Sequence, residues 1–215
     1  LMTPLDDQPP AKPRRRSLIL FAHPSLERSE VNQPMADAAR TLAGVTLVDL
    51  YGEYPDGQSD IDREQQRLLG HEIIVFQHPL YWYSTPAILK EWQDLVLEHG
   101  FAYGTGGTAL HGKLFFNALT AGGPEVAYQT KGFNHYSIRE LLHPLEQTAT
   151  LCGMVYLPPF VLFGARTAVE EGRVARHIDA WLQLLTALRD GNLDIEAARQ
   201  APRLNRVLDA AAAED

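Results

Sequence analysis

Cysteine is nearly missing from this sequence: Cys152 is the single thiol in 215 residues. That excludes an internal disulfide and leads us to expect a reducing, cytoplasmic setting. Long apolar runs are missing as well. None approaches the ~20 residues that cross a bilayer, and no signal peptide opens the chain, so any membrane contact is expected to be peripheral, at the inner face. Excess positive charge is also lacking. The net charge of −8 repels a phosphate backbone, so no nucleic-acid partner is expected. The one basic cluster, Lys12 with Arg14, Arg15 and Arg16, reads as a solvated arm or as a dock for an acidic or membrane surface. No G-x-G-x-x-G follows the first strand. The eight histidines are scattered without H-E-x-x-H or a cysteine cluster, so no metal site is expected. The stretch "GTALHGKL", 107 to 114, nearly matches a triphosphate-binding loop. Leu114 replaces the magnesium-binding hydroxyl and the stretch precedes a strand, so that reading fails.

The apolar fraction of 45% is ordinary for a globular chain. Residues 1–16, with four prolines, read as a disordered leader, 17–190 as one domain, and 191–215 as a helical or frayed tail. Within the domain, short apolar runs begin at Ser17, Val45, Ile73, Leu114 and Met154 and alternate with stretches of helical periodicity. The helices are expected near 31–42, 61–69, 86–96, 137–151 and 168–188. Five alternations predict an α/β fold: a doubly wound, five-stranded parallel sheet with helices on both faces. Such sheets bind ligands beyond the carboxyl ends of their strands.

Three loops fall at that edge. "AHPSLERSEVNQP" follows the first strand, where Ser29 or Asn32 can cap a helix and His23 can add a donor to an anion. A capped helix with an exposed histidine is the plainer alternative. "PLYWYSTP" follows the third strand, and its rings suit either a flat heterocycle or a core or dimer contact. "TAGGPEVAY" follows the fourth, where Gly122 and Gly123 permit a close approach or simply a tight turn. One loop suited to phosphate, one aromatic and one lined by glycine together describe a site for a phosphorylated flat ring, such as flavin mononucleotide. Trp92, Phe101 and Tyr103 exceed what one such domain readily buries, so a homodimer is expected.

The order of "AHP" at 22–24, "SEVN" at 29–32, "HPLYWYSTPAILKEW" at 78–92, "HGFAYGTGGTALHGK" at 99–113, "TAGG" at 120–123 and "CGMVYLPPF" at 152–160 resembles the NAD(P)H:quinone oxidoreductase family of flavodoxin-like flavoproteins. Among its members the sequence is most similar to the ancillary proteins of glutathione-regulated potassium-efflux systems. The resemblance implies FMN (or FAD) as cofactor, NAD(P)H as co-substrate, a quinone or similar acceptor, and a potassium-efflux transporter as a partner. It implies that His23 and Ser29, Glu30, Val31 and Asn32 hold the phosphate. Pro79, Leu80, Tyr81, Trp82 and Tyr83 then face Thr120, Ala121, Gly122 and Gly123 across the flavin ring. It further implies catalytic roles for Tyr128 and a histidine, where this sequence has Asn134 with His135 one residue later, and a pocket role for Tyr103 from the partner chain.

Overall fold

The computed structural model describes residues 14–212. Most of the expected leader, including Lys12, lies outside them. Arg14, Arg15 and Arg16 do not float: Arg15 N–H donates to the Arg189 carbonyl at 2.9 Å and Arg16 N–H to the Glu72 carboxylate at 2.6 Å.

The strands are β1 (Ser17–Phe21), β2 (Val45–Asp49), β3 (Ile73–Pro79), β4 (Leu114–Thr120), β5 (Val155–Tyr156) and β6 (Phe160–Leu162). They run parallel in the order β2-β1-β3-β4-β5, with β6 also paired to β4. The flavodoxin-like doubly wound sheet is therefore present, with its fifth position split in two. The cause is Pro158-Pro159, which cannot donate to a ladder.

Alternate residues of each strand feed two cores. Leu18, Leu20, Ile74, Phe76 and Phe115 face one side and pack on α3 (Ile61–Leu69), α4 (Ala87–Val96) and α6 (His143–Leu151). Ile19, Val75 and Phe116 face the other side, under α1 (Asn32–Arg40) and α7 (Arg173–Asp190). That period of two, fully apolar on both faces, is why these strands read as continuous hydrophobic runs.

Several expected boundaries shift for local reasons. The helix expected over 137–151 is two pieces, Ile138–Leu141 (α5) and α6, because Pro144 sits in the first turn of α6. The helix expected from about 168 begins at Arg173, where Gly172 at φ 66° ends the preceding turn. The residues set apart as a tail form α8 (Ile195–Gln200) and α9 (Leu204–Ala212), and Ala198 and Leu204 are fully buried in the α1/α7 core. Trp92, expected at a dimer contact, is instead only 1% exposed within the domain. Its indole N–H donates to the buried Glu64 carboxylate at 3.0 Å, which also accepts from the Tyr54 hydroxyl at 2.7 Å.

Candidate functional site

The β1 strand ends at Phe21, and His23 follows it, its Nδ1 accepting from Ser25 N–H at 3.1 Å. That fixes the tautomer with the proton on Nε2. Burial lowers its pKa despite nearby Glu27, so the ring is neutral at pH 7. Of the two cap candidates in this loop, Ser29 does the work: its Oγ accepts from Gln33 N–H at 2.8 Å. Asn32 turns inward instead. Its Nδ2 donates to Thr120 Oγ1 at 2.9 Å, while its carbonyl accepts from Gln77 Nε2 at 2.8 Å. Val31, in the N-cap position, supplies no side-chain cap; with Gln33 N–H taken by Ser29, Pro34 lacking a donor and Met35 N–H bonded to the Val31 carbonyl at 3.0 Å, Asn32 N–H is the first-turn amide left for an anion.

The loop after β3 contains the strangest backbone. Trp82 and Tyr83 sit at φ 49° and 64°, between Tyr81 and Ser84, which exchange N–H···O bonds of 3.0 Å in both directions. Two successive positive φ values define a type I′ turn, normally filled by Asn and Gly. Two large aromatic rings there cost about 1–2 kcal/mol each, and strain of this kind collects at functional sites. The turn presents Trp82 to solvent at 93% exposure. Beneath it, buried His78 holds the strand end. Its Nε2 accepts from Asn117 Nδ2 at 2.9 Å, leaving Nδ1–H to donate to the Pro79 carbonyl at 2.8 Å.

The loop after β4 brings Gly122 and Gly123 to the same edge. A Cβ on Gly123 would meet Tyr128 Cε2 at 3.3 Å, and one on Gly122 would meet Arg166 Nε at 3.5 Å. Tyr128 lies half-buried, its pKa raised by burial and lowered in part by a bond from Gly123 N–H. The phenol therefore keeps its proton near neutrality, accepts from Gly123 and can donate its own hydrogen outward.

These pieces enclose one cleft of about 850 Å³ beyond the carboxyl ends of the strands. Of the residues expected from the sequence, it brings together His23, Pro79, Leu80, Tyr81, Trp82, Tyr83, Thr120, Gly122, Gly123 and Tyr128. Ser29, Glu30, Val31 and Asn32 lie behind it in the helix entry, and Ala121 is fully buried. His135 does not line the cleft. It occupies a left-handed turn at φ 62° and is exposed, while Asn134, one residue earlier, reaches the cleft and accepts from the Tyr83 hydroxyl at 3.2 Å. Tyr103 is not part of it either, packing edge-on to His99 at 5.5 Å.

The cleft also contains Phe133, Val126 and Arg166, which the sequence reading passed over. Arg166 had a readable signal. It follows the strand that resumes after Pro159, so carrying the fifth strand on to Leu162 would have placed it at the binding edge. Among the described residues no group of three His, Cys, Asp or Glu is placed to hold a metal.

Residues 15–185 match a family model described as a flavodoxin-like fold. The glutathione-regulated potassium-efflux system ancillary protein KefG of Serratia proteamaculans is 49% identical over 164 residues, 76% of this chain and 87% of its own length. The general stress protein 14 of Treponema denticola in complex with FMN superposes with a TM-score of 0.75 at 37% identity, covering 80% of this chain and 99% of its own. An NADPH-quinone reductase from P. pentosaceus gives 0.71 at 32% identity, covering 79% and 97%.

Proposed function

The chain belongs to the flavodoxin-like NAD(P)H quinone oxidoreductase family, and from that premise we propose that it is an FMN-dependent NAD(P)H:quinone oxidoreductase. The observation that carries this is the convergence of the three post-strand loops on one cleft whose floor is glycine and whose wall is aromatic. The residues fit FMN: His23 and the Asn32 N–H at one end, no side chain at Gly122 and Gly123, and the rings of the type I′ turn opposite. When bound, FMN supplies hydride chemistry, taking two electrons from NAD(P)H and passing them to a quinone after the first co-substrate has left.

The chain's own residues do the holding. The Asn32 N–H at the start of α1 and the Nε2–H of His23 suit the phosphate. Gly122 and Gly123 let backbone approach the ring closely, and the Tyr128 hydroxyl offers a hydrogen bond where negative charge develops. Asn134 stands across the cleft, hydrogen-bonded to Tyr83. It donates from its amide without titrating, so the charge support on that side is dipolar rather than ionic. A homodimer completes the reading. Trp82, Val126, Phe133 and Tyr136, all more than half exposed, rim the cleft's side of the molecule, and Tyr103 of a second copy would close the pocket over them.

A titration of purified protein with FMN, followed by NADH and NADPH oxidation with quinones, tests the proposal. Stoichiometric micromolar FMN binding and quinone-dependent turnover are expected, and no binding of FMN or FAD ends it. The likeness to the potassium-efflux ancillary protein favours a second role, in which the flavoprotein docks on a potassium-efflux transporter from the cytoplasmic side. Copurification with such a transporter checks that role separately.

A further inference from the structure

A second cavity, of about 420 Å³, opens between α7, α9 and β6, and its charge runs against the rest of the molecule. In a chain of net charge −8 it is lined by Arg173, Arg176, Arg203 and Arg206, with Glu125 as the one carboxylate. Two of the four guanidinium groups are held in place. Arg173 donates to the Phe163 and Gly164 carbonyls at 2.8 Å each, and Arg203 donates to Glu125 at 2.7 Å while lying 4.9 Å from the centre of the Phe163 ring. Arg206 stands at 3.8 Å from the same Glu125 oxygen. Arg176 is exposed, and no carboxylate pairs with it among the described residues.

An independent observation points the same way. His177, buried and stacked on Phe160 at 4.5 Å, also lines this cavity, and its Nε2 is buried with no hydrogen-bond partner. A buried polar atom without a partner costs roughly 1–3 kcal/mol and is rare in native structures. A ligand oxygen would satisfy it. Guanidinium forks suit phosphate in particular, since they donate in pairs at fixed geometry. The remaining lining, Val161, Leu162, Ala180 and Leu208, is apolar and fits an organic body rather than a bare ion.

We propose that this cavity is a second binding site, distinct from the flavin cleft, for a small organic phosphate whose phosphoryl group is held by the arginines of α7 and α9. A third of its lining, and two of its four arginines, lie outside the family match, which ends at residue 185: Arg203 immediately precedes α9, and Asn205, Arg206 and Leu208 belong to it. The site is thus built by joining a helix of the common fold to a segment added after it.

The test is calorimetric titration of the full FMN-saturated chain, at low ionic strength, with inorganic phosphate and with phenyl phosphate. Phenyl phosphate is expected to bind about tenfold more tightly than phosphate, the scale of burying part of one ring. An Arg176→Ala/Arg206→Ala double variant, altering two exposed side chains, is expected to weaken it at least tenfold with thermal unfolding unchanged. Arg166→Ala, in the other cleft, is expected to leave it alone. Absence of phenyl phosphate binding, or an unchanged affinity in the double variant, overturns the site. Loss of binding in Arg166→Ala also overturns it, by placing the ligand in the flavin cleft. Equal affinities for the two probes overturn the organic ligand.

Discussion

Tyr128 and Gly123 touch, and each can be altered without removing the other. Tyr128→Phe keeps the ring against Phe163, 5.5 Å away, and removes only the hydroxyl. Flavin binding is expected to survive while flavin reduction by NADPH slows roughly tenfold, the scale of one charge-supporting hydrogen bond. Stopped-flow single turnovers check this, and wild-type rates in both half-reactions would remove Tyr128 from the mechanism. Gly123→Val is expected to abolish flavin binding and preserve the fold, because even its Cβ would press on Tyr128 at 3.3 Å. Retained stoichiometric flavin would make that loop only a turn. His135→Ala is expected to keep wild-type rates, since the ring is exposed and outside the cleft, whereas Asn134→Ala removes a group that lines it. Gly122 and Gly123 were legible from residue type and loop position, whereas Tyr128 was reached through the family resemblance alone. The sequence could not separate Asn134 from His135. A single left-handed residue decides which of two neighbours faces inward, and positive φ is too uncommon outside glycine, even for Asn or His, to be assigned from sequence.

Among the elements, the type I′ turn after β3 carries the clearest conflict between local preference and observed conformation. Trp82→Gly is expected to stabilise the protein by about 1 kcal/mol through relief of left-handed strain and to weaken FMN binding. Denaturant unfolding and flavin titration measure the two effects on the same variant, and a loss of stability would show that the turn is not strained. The central strands were legible because each is apolar on both faces, the edge strand β2 by its valines and leucine, and the helices because their periodicity survives in short stretches. What escaped was punctuation. Pro144 divides one helix, Pro158-Pro159 divides one strand, and Gly172 delays α7 by several residues. The composition of the last segment suggested a loose end, yet Leu204 is fully buried. Leu204 is joined by Val207 and Leu208 in one short apolar stripe against the α1/α7 core, a stripe only two turns long and easily lost beside an alanine-rich end.

At the scale of the whole molecule, two buried histidines tie stability to pH. Burial pushes both His78 and His177 down to about 4. The unfolded chain therefore binds protons between pH 6.5 and 4 that the native state refuses, so stability rises with pH through that window and is lost as pH falls through it. Each is neutral in both states at pH 7 and costs the native state on the order of 3 kcal/mol once the pH has fallen to about 4. Unfolding free energies from pH 7 to 4 are expected to fall accordingly, and His78→Gln is expected to reduce the slope. A flat profile would contradict the burial argument. Light scattering at micromolar protein is expected to give the mass of a dimer. A monomer would leave Tyr103 with no second cleft to enter.

The three tryptophans of the chain divide by environment. Trp92 and Trp181 are sealed in the two cores on opposite faces of the sheet, while Trp82 stands almost wholly in water at the tip of the strained turn. Their emission should separate accordingly, two components blue-shifted and shielded from iodide or acrylamide, one red-shifted and readily quenched. A ligand settling against the turn would dim or shift only the red component, so the molecule carries an intrinsic optical probe at the mouth of its cleft.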